Sequence, residues 1–459
     1  MEKTTRVLAF VLAGGEGKRL APLTTHVAKP AAPFHARHRL VDFALSNLRN
    51  SDITAVEVLL QYEPQTLLQH LRRNWGADRA DSAVRVNARV GGAGTYPLYR
   101  GTADAVRCHR EQIRAFAPDL VAVFSADHVY RMDVGEMVAF HLACRADVSV
   151  SAIPVPVSEA HAFGVLGVDG ADRIRHFEEK PAHPAEIPGR PGLSLVSMGN
   201  YLFDPQVLLE ALDATHAAGG VDFGRDLLPR LLSTHRLMAY DFGTDRLASA
   251  PQRPYWRDVG TIDAYFAAHM DMFAQAPPFY LGDPRWPIHC QQPASFPEAM
   301  PGVACDGARI GIGAELVDTV LRSGVEVGPG ASLSRCIVAE DTRIGARCRL
   351  RNVIVDAGNW LPNGLEVGFD PAADAGRWPM SAGGVVVIPR GAFPAQPDRV
   401  PAAPDIRLPA LPALPALAAA KALGWEPPRF ARGARSGSSS GLESIEERSD
   451  PCRTEPTTA

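Results

Sequence analysis

The strongest constraint on this chain lies after residue 300, where apolar residues recur every 17 positions in three parallel rows. Ile310, Val327, Ile344 and Leu361 form one row. Leu316, Leu333, Leu350 and Val367 form a second, and Leu321, Val338 and Val355 a third. Between rows the steps are 6, 5 and 6 (310 to 316, 316 to 321, 321 to 327). Glycine follows a row residue at Gly311, Gly328, Gly345 and Gly368. Short faces of near-hexapeptide length predict a left-handed parallel β-helix of hexapeptide repeats. Each inward residue would stack on its counterpart one coil away. Ordinary antiparallel strands would not align three rows at once.

Before residue 270 the pattern is different. Short apolar runs at 7–12, 55–61, 120–125 and 148–157 alternate with helical stretches at 40–50, 65–75 and 103–116. In the 65–75 stretch Leu67, Leu68 and Leu71 fall on one side. This alternation predicts an α/β domain, Rossmann-like, with a mostly parallel or mixed sheet flanked by helices. A length of 459 residues exceeds one ordinary core. The expected division is a catalytic domain at 1–275, a Pro- and aromatic-rich linker at 276–302, a β-helix domain at 303–392 and a tail at 393–459. The tail's Pro-Ala-Leu and Arg-Ser-Gly composition predicts disorder.

Composition narrows the function classes. A formal charge of −4 argues against a nucleic-acid footprint. No apolar run reaches the length of a membrane span. Residues 1–10 read as a first strand entering glycines, not as a signal peptide. The 7 cysteines are scattered without a CxxC pair, which fits reduced thiols in a cytoplasm.

Five segments carry chemistry. Leu12-Ala13-Gly14-Gly15-Glu16-Gly17-Lys18-Arg19-Leu20 follows the first strand. Its glycines let backbone approach a ligand and present N–H groups to phosphate. It is neither a Walker A loop nor a G-x-G-x-x-G turn, and alone it reads as a turn. Lys29-Pro30 follows, with an ammonium suited to phosphate or to plain solvent. Tyr99-Arg100-Gly101-Thr102-Ala103-Asp104-Ala105-Val106 opens a predicted helix, whose N-terminus favours anions or a simple Thr cap. Ser125-Ala126-Asp127-His128 lies past a strand end, where open α/β sheets bind ligands. A carboxylate there suits Mg²⁺, and His128 reads as its structural neighbour. Phe177-Glu178-Glu179-Lys180-Pro181, with Ser197-Met198-Gly199 after it, offers groups for sugar hydroxyls and phosphate, or a surface ion pair. Finally, Pro254-Tyr255-Trp256-Arg257-Asp258-Val259-Gly260-Thr261 supplies a second carboxylate, Asp258.

In this order, and followed by hexapeptide coils, the five segments resemble bacterial ADP-glucose pyrophosphorylases, over residues 6–390. The resemblance implies transfer of the adenylyl group of ATP to glucose 1-phosphate, giving ADP-glucose and pyrophosphate for glycogen synthesis. It implies that Gly14, Gly15, Gly17 and Arg19 hold the triphosphate, with Lys29 near the phosphates. Tyr99, Gly101 and Thr102 would lie along the nucleotide. Asp127 and Asp258 would bind Mg²⁺. Gly164, Glu179, Lys180 and Ser197, with Tyr99 alongside, would hold the sugar phosphate. The implied assembly is a homotetramer with effectors bound between subunits. A sugar phosphate is already an anionic nucleophile, so the reaction needs positioning and charge neutralisation more than a strong base.

The chain departs from the family pattern in places. Glu16 stands where the family has Arg, His26-Val27 where it has a basic pair, and Asn87-Ala88-Arg89 and Leu98 where it has a Gln pair and Trp. The basic pair and the Gln segment are tied in the family to glycolytic activators, so weak or absent activation by a sugar bisphosphate is expected. Arg37, His38 and Arg39 remain for a smaller anion. Other readings are a non-catalytic regulatory subunit, a hexapeptide acyltransferase, or the same chemistry with another nucleotide. Retained Arg19, Lys29, Asp127, Lys180 and Asp258 weigh against the first. The absence of a catalytic His in the coils weighs against the second.

Overall fold

The computed structural model describes residues 5–77, 84–94, 96–247, 254–290, 303–305 and 307–394. Its N-terminal half is built on a nine-stranded mixed sheet. At the centre, strand Val7–Ala13 pairs in parallel with Leu120–Ser125 on one side and Ala55–Leu60 on the other. Arg85–Val90 extends the parallel part. The long strand Leu193–Phe203 runs antiparallel to both Leu120–Ser125 and Val148–Pro156, and so mixes the sheet.

The central strand is apolar throughout because both its faces are buried. Val7, Ala9, Val11 and Ala13 pack under helices Val41–Asn50, Pro64–Asn74 and Val134–Ala143. Leu8 and Phe10 point to the other face, beneath Thr102–Arg107, Arg110–Phe116 and Pro205–Ala217. On Pro64–Asn74, Leu67 and Leu71 are buried, and Leu68 packs at the margin.

The predicted single helix over 103–116 is two helices, broken at Cys108 and His109. At the break the His109 ring is fully buried, with Nε2 2.8 Å from the Tyr99 hydroxyl.

The 17-residue rows are strand registers. Ile310 pairs with Val327 and Val327 with Ile344. Leu316, Leu333, Leu350 and Val367 pair in succession, as do Leu321, Val338 and Val355. The glycines are there for room: a Cβ on Gly311, Gly328 or Gly345 would come within 2.6 Å of backbone in the next coil. The third row then departs from the repeat. Val355 pairs with Ile388, because a short helix, Pro371–Ala375, is inserted between coils and capped by Asp370.

In the described part of the expected linker, Phe279, Trp286 and Ile288 are buried. Trp286 Nε1 donates to Asn47 Oδ1 (3.1 Å) and Asn50 donates to Pro287 O (2.9 Å), strapping this segment to helix Val41–Asn50. Residues 291–302 and the expected tail from 395 lie outside the described residues. One apolar cluster joins Phe34, Phe43 and Phe266 to Val320, Ile337 and Ile354, so sheet domain and β-helix share a core. Among the described residues, no helix is long and apolar enough to cross a membrane.

Candidate active site

Three loops leave the carboxyl ends of the central parallel strands on one edge: 14–17, Gln61 and 126–127. In the first loop Gly17 adopts φ +65°, and a Cβ there would sit 2.8 Å from the Lys29 Cβ. Glycine is therefore needed both for the left-handed turn and for Lys29 to pass. Gly15 faces open space, and Arg19 is exposed. The Arg19 Nη2 lies beside Gly260, on the side that the Asp258 carboxylate also flanks.

Asp258 reaches the site through a two-stranded ribbon. Trp256–Asp258 pairs antiparallel with His128–Tyr130, placing Asp258 opposite His128 and next to Asp127. The buried Lys29 Nζ donates to Asp127 Oδ2 at 2.7 Å and to Asp258 Oδ1 at 3.1 Å. Burial opposes the charge on Asp127, but the Lys29 ammonium overrides it and holds this carboxyl well below the usual carboxylate range. The same balance, desolvation against two carboxylates, leaves Lys29 above the ordinary lysine value.

One ligand atom each from Asp127, His128 and Asp258 lie within 4.8 Å of one another. Hard carboxylate oxygens converging around an ammonium are a donor set that fits a divalent cation. His128 Nε2 is 3.5 Å from Asp127 Oδ1, while its Nδ1 is buried with no partner among the described residues.

Gly164, Glu179 and Lys180 form a second group. Glu179 points into a slot kept open by two glycines: a Cβ on Gly164 or Gly224 would lie 3.0 or 2.5 Å from Glu179 Oε2. Lys180 Nζ lies 3.3 Å from Glu179 Oε1, and Lys180 N donates to Phe163 O. Strand Leu193–Phe203 loses register between Ser197 and Tyr201, and Gly199 at φ +72° makes that bulge. The bulge brings Gly199 against Ser125 and His128, and so joins this strand to the segment bearing Asp127. Ser197 is buried and accepts from Gly199 N at 3.1 Å.

Tyr99, Gly101 and Thr102 are tied inward. The Tyr99 ring is in the core, and Gln61 clamps its backbone from both sides, accepting from Tyr99 N and donating to Tyr99 O. The helix after Gly101 does not present its N-terminus to a ligand: Ala103 N and Asp104 N both donate to Val221 O. Thr102 Oγ1 donates to Asp222 Oδ2 at 2.9 Å rather than capping its own helix.

Two residues of this edge escaped the sequence reading, and a third was read only as part of a motif. Gln61 carries no pattern of its own. Asp222 accepts from Gly224 N and Arg225 N, an N-cap signature ahead of Phe223 that was legible. Trp256 stood in a motif, but its buried Nε1, without a partner among the described residues, required coordinates.

The chain matches a nucleotidyl transferase family model over residues 8–275 and a GlmU-like C-terminal hexapeptide model over 292–388. Glucose-1-phosphate adenylyltransferase 1 of Vibrio parahaemolyticus is 40% identical over 403 residues, covering 84% of this chain and 98% of that one. The glucose-1-phosphate adenylyltransferase of Paraburkholderia phymatum is 40% identical over 412 residues, covering 85% and 97%. That of Thermodesulfovibrio yellowstonii is 39% identical over 402 residues, covering 84% and 97%. With mixed sheet, paired carboxylates and stacked coils in that order, the chain belongs to the glucose-1-phosphate adenylyltransferase family of nucleotidyl transferases.

Proposed function

We propose that this chain transfers the adenylyl group of ATP to α-D-glucose 1-phosphate, releasing pyrophosphate and ADP-glucose for α-glucan (glycogen) synthesis. The observation that carries the reading is the Lys29–Asp127–Asp258 constellation at the carboxyl ends of the sheet strands. A phosphate oxygen of the sugar attacks the α-phosphorus of ATP, and the bond to the bridging oxygen of the departing pyrophosphate breaks. No proton must be removed from the nucleophile, so the residues are asked for charge and alignment.

Asp127 and Asp258 would hold Mg²⁺, which supplies Lewis-acid neutralisation of phosphate charge when bound. The loop of Gly14, Gly15 and Gly17 offers backbone N–H groups to the triphosphate, while Arg19 and Lys29 add fixed positive charge. Tyr99, Gly101 and Thr102 belong to the wall along the nucleotide, held there by Gln61 and Asp222. Gly164 and Glu179 form the slot for sugar hydroxyls, Lys180 faces the phosphate, and Ser197 supports the wall between them. A cytoplasmic homotetramer is the assembly and location we infer from the family resemblance.

Pyrophosphate release measured with each of the four NTPs and glucose 1-phosphate tests the reading on the purified chain alone. Release with ATP alone is expected. No release with any nucleotide would favour a regulatory subunit, and preference for another NTP would reassign the nucleotide.

A further inference from the structure

We propose that Arg322, on the β-helix, is a positioning residue for the transfer site: it braces the segment that carries Lys29. The proposal rests on the catalytic reading of Lys29.

Arg322 is 4% exposed. A buried guanidinium has five N–H donors, and leaving them unmet is costly. Here the partners lie on two elements. The Nη1 donates to His35 O at 2.7 Å, His38 O at 3.3 Å and Phe34 O at 3.4 Å. The Nε donates to Glu340 Oε1 at 2.9 Å, one coil along. The β-helix thus reaches across the domain junction and gathers the carbonyls of a loop more than 280 residues away in sequence.

From Glu340 the chain of contacts runs back toward the site. Its Oε1 also lies 3.5 Å from Arg39 Nη2. Burial would raise this carboxyl, but the two guanidinium groups hold it below the ordinary glutamate value, so it stays charged between them. Arg39 Nη1 donates to Ala31 O, which closes the turn Lys29–Ala31. Arg39 N donates to Asp42 Oδ2 at 2.8 Å, in the first turn of helix Val41–Asn50.

The segment from Lys29 to Arg39 has little regular structure of its own: one short turn and a two-residue ribbon, Pro33–Phe34 with His38–Arg39. Its shape is therefore set from outside. Tyr265 donates to Pro33 O and His269 accepts from His35 N, but both bind the far part of the loop. The Arg322–Glu340–Arg39 path ends on Ala31, in the turn bearing Lys29, whose other side packs against helix Pro64–Asn74. Lysine at 322 would offer one point charge in place of a planar fork and would not span these partners.

The experiment is a double-mutant cycle with thermal unfolding as the fold control. Arg322→Met in the otherwise intact enzyme should lower kcat about tenfold, with KM for both substrates within about twofold, because small misplacement of a charged group weakens the transition state. In a Lys29→Ala background the same change should cost no more than about twofold, since its effect passes through the lysine. Glu340→Gln, which keeps the side-chain shape, should show the same dependence with a smaller loss of about threefold, and serves if Arg322→Met does not fold. Equal proportional losses in both backgrounds, or unchanged kcat, would overturn the positioning role. If Lys29→Ala itself turns over normally, the catalytic reading of that lysine falls first.

Discussion

The Lys29 ammonium donates to the Asp127 carboxylate at 2.7 Å, beside the carboxyl ends of the central parallel strands. Asp258 completes the contact from the opposite side at 3.1 Å. Two carboxylates sharing one lysine cation are arranged for a stronger cation, and this relationship governs the first expectation.

Asp127→Asn and Asp258→Asn should each lower turnover by about two to three orders of magnitude with little change in unfolding temperature. Loss of a preorganised charged group acts on the transition state and not on the core. Activity should require added Mg²⁺ and vanish with chelator. Initial rates across a Mg²⁺ titration check this, and near-normal rates in both variants would remove the metal assignment.

Lys180→Ala should raise KM for glucose 1-phosphate about tenfold and leave KM for ATP nearly unchanged. An exposed cation that gripped one phosphate would work mainly in ground-state binding. Its ammonium lies 3.3 Å from Glu179 Oε1. Full kinetics in both substrates decide the matter; an effect confined to ATP would move this lysine to the nucleotide.

The pH profile should have no limb from Lys29 or Asp127 near neutrality. The lowered Asp127 carboxyl is charged above the ordinary carboxylate range, and its contribution is lost only as pH falls through its folded value. The raised Lys29 keeps its proton until pH rises past the ordinary lysine range. An acid limb near pH 6 should instead follow the second ionisation of the sugar phosphate, at about 6 for a phosphate monoester. A substrate analogue with a different phosphate pKa should shift that limb; a fixed limb would assign it to the protein.

Fructose 1,6-bisphosphate should activate weakly or not at all. A cleft of about 290 Å³ gathers Arg37, Arg39, Arg73 and Arg322 between the domains. Arg39 and Arg322 already bind Glu340 and loop carbonyls, and the His38 ring faces Ile288 O. Val27 carries no charge, so the basic pair of the family pattern is absent here. Each full cation lost removes a contact worth roughly 1.5–3 kcal/mol. Titration of glycolytic intermediates against initial rate tests this. Strong activation at micromolar bisphosphate would show that other residues rebuild the site.

The sequence by itself determined the pairing of the β-helix rows up to Val355. A coil stacked on its copy repeats the same environment by translation, so a spacing of 17 is a register, and Val327 finds Ile344 without further information. It also determined the glycine loop, the buried central strand and the order of the motifs, because each follows from local backbone demands and apolar periodicity.

What only the tertiary structure decided are the meetings between distant segments. Asp258 stands beside Asp127 because a three-residue ribbon pairs Trp256–Asp258 with His128–Tyr130, and no periodicity announces so short a pairing. The helix over 103–116 is broken at Cys108 and His109, where the buried His109 ring meets the Tyr99 hydroxyl, a contact that helix propensity does not contain. Val221 O takes the first amides of helix Thr102–Arg107, and Arg322 takes the carbonyls of the loop after Lys29, each across a long stretch of sequence. Buried polar groups must find partners wherever the packed chain offers them, and the partner's position is set by sheet order and domain contact, not by the residues on either side.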